Sequence, residues 1–213
     1  SNPQVLYAGS GSDFSAGKVG GIFKSTNGGT MWDTLIRGVT VREIVIHPIN
    51  PNIIFATLGL NVLTTPSIIK STDGGKMWTK ADSGIRITWE EGPGPLVIDS
   101  KHPDTLYAGT GGFFGGRFYR SINGGANWYS FGDTTYLRDG VTALAIHPDS
   151  SNVIYAGTAW SGNLLKSIDY GITWVLTGFA AGIIYSIQFG SKVSTIYVGS
   201  SWSKTPVGIF KTT

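Results

Sequence analysis

Short apolar runs alternate with glycine-rich polar turns along the whole chain. Runs rich in Val, Ile, Tyr, Phe and Trp and bounded by Gly, Asn, Asp and Pro are typical of β-strands. The clearest stretch predicts four strands in succession, at Val141 to Ile146, Val153 to Gly157, Leu164 to Ser167 and Trp174 to Thr177. Two earlier stretches repeat this order of four strands: Glu43 to Ile46, Ile53 to Thr57, Ile68 to Ser71 and Trp78 to Ala81, then Leu96 to Asp99, Leu106 to Gly109, Phe118 to Ser121 and Trp128 to Phe131.

An eight-residue segment follows the third strand of these units and occurs four times. Its pattern is Ser-x-Asp/Asn-x-Gly-x-x-Trp, and the copies begin at Ser25, Ser71, Ser121 and Ser167. A period of roughly 46 to 50 residues indicates an array of one structural unit. Four short antiparallel strands per repeat of this length form one blade of a β-propeller.

The chain is therefore predicted to be all-β: a β-propeller of four-stranded antiparallel blades, about five in number, with incomplete first and last blades. The first predicted strand, at Val5, corresponds to the second strand of a blade, and the last, Gly208 to Thr213, corresponds to a third strand. A fragment of a larger propeller and a ring completed by a partner copy are the alternatives. We expect a single domain over 1–213, with repeat units at approximately 1–40, 41–92, 93–140, 141–182 and 183–213.

The residues of the repeated segment suit a hairpin turn. Asp and Asn side chains accept backbone N–H bonds in such turns, glycines supply positive φ, and the Trp ring can pack back over the turn. His47, His102 and His147 each precede Pro at equivalent positions, so turn stabilisation is expected there and no metal site. We expect a structural, non-catalytic role for eight residues of the repeated segments: Asn27, Trp32, Asp73, Trp78, Asn123, Trp128, Asp169 and Trp174.

The repeated segment resembles the Asp-box, or BNR repeat, of sialidase-like and sortilin-like β-propellers. A second motif, Asn50-Pro51-Asn52-Ile53-Ile54-Phe55-Ala56, is similar to repeats of xyloglucanases with paired propellers. The resemblance covers almost the whole chain and implies the propeller fold. Sialidases also carry an Arg-Ile-Pro motif, which this sequence lacks. The resemblance to sortilin-like receptors and photosystem assembly factors implies binding of peptide or protein segments without chemistry.

Composition and charge make several kinds of binding partner and of chemistry unexpected. The net charge is only +3, and no Lys/Arg run interleaves with aromatics, so nucleic-acid binding is not expected. The sequence has no cysteine, which excludes disulfides and thiolate chemistry. No apolar run approaches 18 residues, so no membrane span is predicted. No cofactor is predicted. The resemblance implies a secreted or cell-envelope location, although no signal peptide is seen.

Candidate ligand contacts concentrate in the loops that follow the second and fourth strands of each unit. These loops vary most between repeats, and insertions between repeats map to binding loops. Aromatic rings there could contact sugar C–H groups, and charged groups could bind hydroxyls. Loop anchoring is the alternative role for Trp160 and Trp202. The predicted ligand-binding residues, for a glycan or an extended peptide, are Trp89, Phe113, Phe114, Tyr136, Arg138, Trp160 and Trp202.

The favoured function is a non-catalytic binding module. A glycoside hydrolase, or a fragment of one, is the alternative, because hydrolysis needs two carboxyl groups on opposite sides of the bond. The candidates are Glu90, Glu91 and Asp139, which follow fourth strands. A third possibility is a scaffold that self-associates through its incomplete end blades, since open strand edges can pair with another chain.

Overall fold

The computed structural model describes residues 2–11, 19–59, 67–86, 92–111, 116–130, 135–201 and 207–212, and of Arg138 it describes the backbone alone. Within these residues the chain forms eighteen β-strands and one short 3-10 helix. The strands make five antiparallel sheets, I to V, that follow one another along the chain. The predicted all-β propeller of about five blades, with an incomplete first and last blade, is confirmed.

The two end sheets each contain three strands. Sheet I contains β1 (Leu6–Ser10), β2 (Gly21–Ser25) and β3 (Asp33–Arg37). Sheet V contains β16 (Ile183–Phe189), β17 (Ile196–Ser201) and β18 (Gly208–Thr212).

The three middle sheets each contain four strands in sequence order. Sheet II contains β4 (Thr40–Ile46), β5 (Ile54–Gly59), β6 (Ser67–Ser71) and β7 (Thr79–Lys80). Sheet III contains β8 (Gly92–Ile98), β9 (Leu106–Gly111), β10 (Arg117–Ser121) and β11 (Tyr129–Ser130). Sheet IV contains β12 (Val141–His147), β13 (Ser150–Thr158), β14 (Asn163–Ser167) and β15 (Val175–Ala180). The 3-10 helix, Leu137–Asp139, connects sheets III and IV.

Consecutive sheets pack against each other through their first strands: β1 contacts β4, β4 contacts β8, β8 contacts β12, and β12 contacts β16. A hydrophobic cluster lies between each pair of successive sheets. The cluster between sheets II and III includes Phe55, Leu96 and Trp128, all buried. Each middle sheet is thus covered on both faces near its second strand, which explains why β5 and β9 are buried along almost their whole length.

The glycine of the recurrent Tyr-Ala-Gly-Thr strand has a packing role. A β-carbon on Gly109 would lie 2.5 Å from Cγ1 of Val141, in the first strand of the next sheet. The same relation holds between Gly157 and Ile184. A β-branched side chain of one sheet therefore packs directly on the bare backbone of the preceding sheet, and this close approach accounts for the repeated glycine.

The four Ser-x-Asp/Asn-x-Gly-x-x-Trp segments, here called repeat turns 1 to 4, are residues 25–32, 71–78, 121–128 and 167–174. In repeat turn 2 the Ser71 hydroxyl donates to Asp73 Oδ1 over 2.8 Å and accepts from the N–H of Gly75 at 2.9 Å. Asp73 Oδ1 also accepts from the N–H groups of Lys76 and Met77, at 2.9 and 3.0 Å. The serine hydroxyl donates in the same way in all four turns. These bonds keep the Asp or Asn side chains within their own turns.

The tryptophan that ends each repeat turn packs toward the preceding sheet. Trp174 contacts Phe118 of sheet III edge-on, with 5.1 Å between ring centroids. The indole N–H of Trp128 donates to the Ala81 carbonyl over 2.7 Å, which ties sheet III to sheet II. Trp32 belongs to sheet I and is 43% exposed, because no described sheet precedes it. The repeated tryptophan is thus less exposed when another described sheet precedes its own sheet.

The repeat-turn carboxylates should make stability depend on acid. Hydrogen bonds lower the pKa of Asp73, and the N–H of Met77 contributes most. Desolvation raises the pKa of Asp169, but hydrogen bonds from the Thr173 side chain and backbone outweigh it and lower the pKa overall. A carboxyl with a lowered folded pKa stabilises the fold above its unfolded pKa, about 3.9 for Asp. That contribution is lost as pH falls through the folded pKa.

We therefore expect the melting temperature of the double variant Asp73→Asn, Asp169→Asn to fall less steeply between about pH 5 and pH 2 than that of the parent chain. The variant should retain its turns at neutral pH, because Asn27 and Asn123 occupy the same position in repeat turns 1 and 3. Thermal melts followed by circular dichroism across this pH range provide the measurement. Parallel curves for the two proteins would contradict the assignment.

The predicted strands differ from the observed ones mainly at their starts. β8 begins at Gly92 and β4 at Thr40, each three or four residues before the predicted start. Glycine and proline in the segment 92–95 argue against a regular strand. The structure accommodates them because pairing with β9 is irregular between Pro93 and Leu96. Asp139, predicted in a loop, ends the 3-10 helix.

Candidate ligand-binding cleft

The first strands of sheets II to V share a β-bulge at the same point. Pairing with the second strand shifts between Val41 and Glu43 in β4, and between Pro93 and Leu96 in β8. It shifts again around Thr142 in β12 and around Tyr185 in β16. A bulge leaves a residue out of the ladder and re-aims its side chain, which is common beside binding sites.

The bulged residues of all four strands line one cleft of about 580 Å³. The cleft lies at the end of the sheets that carries the loops after the second strands, because Gly111 and Ala159 also line it. Two exposed aromatic side chains contribute to it: Trp160, 44% exposed, and Tyr185, 56% exposed. The remaining described lining residues are Arg42, Glu43, Gly94, Pro95, Gly111, Val141, Thr142 and Ala159.

A short hydrogen-bonded turn after β13 holds Trp160 at the cleft. Thr158 Oγ1 lies 2.8 Å from Ser161 Oγ and accepts from the N–H of Asn163 at 2.9 Å, which closes the turn. The N–H of Ala159 donates to the Gly140 carbonyl over 3.0 Å, which joins the turn to the start of sheet IV. The position of Trp160 is therefore fixed by backbone and hydroxyl contacts on both sides of it.

Tyr185 is placed by a contact between sheets IV and V. The Thr142 hydroxyl in the β12 bulge donates to the Ile184 carbonyl over 2.6 Å, next to the β16 bulge. Ile184 itself is fully buried in the cluster between the two sheets. The backbone before Tyr185 is thus anchored, while the tyrosine ring remains exposed in the cleft.

One residue of each charge sign lies in the cleft, on the same strand. Arg42 and Glu43 remain accessible to solvent, but the surrounding protein displaces part of their water. This desolvation lowers the pKa of Arg42. It raises the pKa of the Glu43 carboxyl, partly offset by a hydrogen bond from the N–H of Ile44. The cleft therefore offers a cation and a carboxyl that holds its proton more tightly than usual.

The structure places the predicted site residues differently. Trp160 lines the cleft. Tyr136 packs against the hydrophobic cluster between sheets III and IV, and Asp139 is half-buried at the end of the 3-10 helix; neither is a lining residue of the cleft. Arg138 is described only in its backbone. The predicted residues that lie outside the described part of the chain are Trp89, Glu90, Glu91, Phe113, Phe114 and Trp202.

Sequence reasoning missed Glu43, Thr142 and Tyr185 as cleft residues, because it assigned Glu43 and Thr142 to regular strands and did not single out Tyr185. In a regular strand, neighbouring side chains point to opposite faces of the sheet. The bulges interrupt this alternation locally. A signal was present in β4, where Arg42 and Glu43 stand together in the first strand of a blade. Two adjacent charged residues in the first strand of a blade indicate a polar, solvent-accessible surface at that point.

The histidines lie in local turns at the other ends of the first strands. His47 Nδ1 accepts from the N–H of Asn50 at 3.0 Å, and His102 Nδ1 lies 3.0 Å from Asp99 Oδ2. The Ser151 hydroxyl also donates to Asp99, over 2.9 Å. The hydroxyl hydrogen of Ser151 is therefore directed at the Asp99 carboxylate and not at His102. That arrangement is not the serine–histidine relay of a hydrolase.

Among the residues that the structure describes, no three His, Cys, Asp or Glu side chains come together as a metal site. In the same part of the chain, no helix has the length and apolar character needed to cross a membrane.

Five consecutive antiparallel sheets, each packed against the next, define the β-propeller class. A crystal structure of a Niastella koreensis GH74 enzyme shares this fold, with a TM-score of 0.76 and 22% identity over 99% of this chain and 34% of that chain. The Xanthomonas campestris GH74 xyloglucanase gives a TM-score of 0.74 and 14% identity over 99% and 35% of the two chains. YCF48 bound to D1 peptide gives 0.58 and 13% over 93% and 61%.

These likenesses establish the fold. The chain spans about a third of the length of the two GH74 proteins. No family model matches the chain, and no curated protein matches it.

Proposed function

We propose that the chain is a non-catalytic binding module whose central cleft takes a glycan. The observation that carries the proposal is the pair of exposed rings, Trp160 and Tyr185, in one cleft with Arg42 and Glu43. We also propose that the repeat turns are Asp-boxes with a structural role, which their local hydrogen bonds support.

The chemistry of the cleft suits a sugar. Aromatic faces contact the apolar C–H surface of a pyranose, and charged groups form strong hydrogen bonds with its hydroxyls. The cleft volume of about 580 Å³ lies within the range of small-ligand sites, roughly 300 to 1,000 Å³. A secreted or cell-envelope location, which we also propose, would give the module access to such ligands.

Glycoside hydrolysis is the second candidate, and Glu43 favours it. A carboxyl with a raised pKa in a cleft suits the general acid that protonates a leaving oxygen. The second carboxyl would come from Glu90 or Glu91, which directly precede β8, whose Gly94 and Pro95 line the cleft. Asp139, the remaining carboxyl candidate from the sequence, does not line it. The fold shared with a GH74 xyloglucanase supports this candidate.

An extended peptide is the other ligand class for the same cleft. YCF48, which shares the fold, has been solved with a bound D1 peptide. The glycan takes precedence because the two exposed rings offer flat apolar surfaces, whereas strand addition would need an unpaired strand edge.

A glycan and polysaccharide array with the intact chain tests the proposal, with xyloglucan included because one similar structure is a xyloglucanase. Each bound glycan is then incubated with the chain and assayed for released sugar. Binding without release supports the module. Release that is lost in Glu43→Gln, with binding retained, supports the hydrolase. Absence of glycan binding, together with peptide binding at the cleft, would replace the glycan with the peptide.

We expect Trp160→Ala to weaken glycan binding at least tenfold, which corresponds to about 1.4 kcal/mol. The reason is the loss of a ring that covers the sugar face. Trp32→Ala is the matched control, because Trp32 has nearly the same exposure, 43% against 44%, and does not line the cleft. Isothermal titration calorimetry with the best array hit provides the measurement. Equal affinities of the two variants would exclude Trp160 from the site.

A further inference from the structure

Repeat turn 4 carries a tyrosine at a position where the other three repeat turns carry glycine. The fourth residue of every repeat turn donates its N–H to a carbonyl at the same point of its own sheet, and these residues are Gly28, Gly74, Gly124 and Tyr170. All four have φ between 63° and 75°, and Tyr170 is the one non-glycine residue of the described chain with positive φ. This backbone conformation is unfavourable for a bulky side chain, and such positions concentrate at functional sites.

The Tyr170 ring contacts a cation of the preceding sheet. The guanidinium of Arg120, in β10 of sheet III, lies 5.5 Å from the centre of the Tyr170 ring and 5.9 Å from the centre of the Tyr107 ring. A guanidinium at these distances is attracted by the aromatic rings. A glycine at position 170 would provide no such contact, so the unfavourable backbone of Tyr170 is accompanied by a second ring that holds Arg120 in place.

Arg120 has neither a hydrogen-bond acceptor nor an ion-pair partner among the described residues, and its Nε is buried without a partner. The cations at the same register position of sheets I and II both have acceptors. Lys24 Nζ donates to the Gly74 carbonyl over 3.1 Å, and Lys70 Nζ donates to the Gly124 carbonyl over 2.8 Å. The guanidinium of Arg120 therefore keeps its full capacity to bind a carboxylate, whose two oxygens match its planar fork.

The neighbouring phenol does not neutralise the charge of Arg120. Tyr107 is fully buried, and burial raises the pKa of its hydroxyl to about 12, although the charge of Arg120 acts in the opposite direction. The phenol is therefore neutral at pH 7, and its hydroxyl is also without a partner among the described residues. The uncompensated cation makes an acidic ligand the complementary one.

An apolar groove of about 270 Å³, here called the rim groove, lies beside Arg120 and is lined by Arg120, Ile122, Tyr129 and Ile172. The last three side chains are each more than half exposed. The rim groove shares no lining residue with the central cleft and has less than half its volume. Its branched aliphatic side chains would leave sugar hydroxyls without hydrogen-bond partners. One or two apolar amino-acid side chains fit it better.

We propose that the rim groove binds an acidic segment of a partner polypeptide, in which an Asp or Glu residue stands next to an aliphatic or aromatic residue. The carboxylate accepts two hydrogen bonds from the Arg120 guanidinium. The apolar side chain packs against Ile122, Ile172 and Tyr129. Tyr170 holds the guanidinium in place before binding, which reduces the entropy lost when the partner binds. The net charge of +3 on the chain also favours an acidic partner.

An array of short peptides, probed with the intact chain, tests the proposal. One set carries Asp or Glu beside Leu, Ile or Phe, and a matched set carries Asn or Gln in place of the acid. The acidic set should bind, and the amide set should bind about tenfold more weakly or worse, because it lacks the charge that pairs with the guanidinium. The best acidic peptide is then labelled and titrated by fluorescence anisotropy. Arg120→Gln should bind it about tenfold more weakly, while Arg37→Gln, which removes the same charge at an exposed arginine outside the groove, should bind it unchanged.

Tyr170→Gly separates a role in binding from a role in folding. Because Gly28, Gly74 and Gly124 occupy this position in the other repeat turns, the variant should melt at the temperature of the parent chain or above it. It should nevertheless bind the peptide several-fold more weakly, because the guanidinium loses one of the rings that hold it. A lower melting temperature with unchanged binding would show that the Tyr170 ring supports the fold alone.

Three results would overturn the proposal. The first is an array without preference for acidic peptides, or equal peptide binding by Arg120→Gln and the parent chain. The second is Arg120-dependent binding of a uronic-acid oligosaccharide in place of the peptides. The third is a dimer in sedimentation velocity that Arg120→Gln abolishes, since the groove would then bind a second copy of the chain. These measurements do not depend on the glycan proposal, because the two sites share no lining residue.

Discussion

Replacing Trp128 with alanine should lower the free energy of unfolding by about 3 to 5 kcal/mol, the usual cost of truncating a buried aromatic side chain. Trp128 is only 2% exposed and belongs to the cluster between sheets II and III. Its indole N–H also donates to the Ala81 carbonyl, which the variant leaves buried and without this partner. The substitution therefore weakens both the packing and the polar contact between two sheets.

Trp32→Ala is the matched control, since Trp32 ends repeat turn 1 as Trp128 ends repeat turn 3. Its ring is 43% exposed, so its loss should cost about 1 kcal/mol or less. Urea denaturation followed by circular dichroism gives both values, with the slope of the unfolding curve as a check on two-state behaviour. Equal losses in the two variants would show that these tryptophans act within their own turns and not between sheets.

Gly171→Ala should destabilise the chain by about 2 to 5 kcal/mol, through two additive causes. Gly171 has φ of 87°, where an alanine costs about 1 to 2 kcal/mol. A β-carbon there would also lie 2.8 Å from Cζ of Phe118, in the preceding sheet. Forcing the ring aside disturbs the cluster that it forms with Trp174, and overpacking of this kind typically costs about 1 to 3 kcal/mol.

Gly178→Ala separates these two causes. Gly178 has nearly the same φ, 84°, but no atom lies within 4 Å of the position of its β-carbon. This variant should therefore show only the backbone cost, about 1 to 2 kcal/mol. Comparing the urea midpoints of the two variants isolates the contact between sheets. If Gly178→Ala proves as destabilising as Gly171→Ala, the contact between Phe118 and repeat turn 4 contributes nothing to the loss of stability in Gly171→Ala.

The packing between sheets also supports the proposed binding site. The cleft receives side chains from the first strands of four sheets, so its shape depends on how each sheet sits on the next. The Thr142 hydroxyl and the Ile184 side chain fix the relation of sheets IV and V beside Tyr185. Variants at Ile184, which does not line the cleft, should therefore weaken ligand binding by loosening this interface, because stability in repeat proteins is built from contacts between neighbours.

The sequence by itself determined the fold of this protein. A segment repeated four times and the order of apolar runs between its copies predicted strands, turns and the incomplete first and last blades. Such signals are local, because turn chemistry and strand periodicity depend on residues close in the chain.

The tertiary structure alone decided which side chains share the cleft. Arg42 and Glu43 lie far along the chain from Trp160 and Tyr185, and the β-bulges at Arg42 and Tyr185, which the periodicity of apolar residues did not reveal, accompany the place of both residues in the cleft. The sequence placed Tyr136 among the ligand contacts, whereas packing between sheets III and IV places it against a hydrophobic cluster. A binding surface built from four blades depends on long-range packing and strand register. Neither can be predicted from residues that are close together in the sequence.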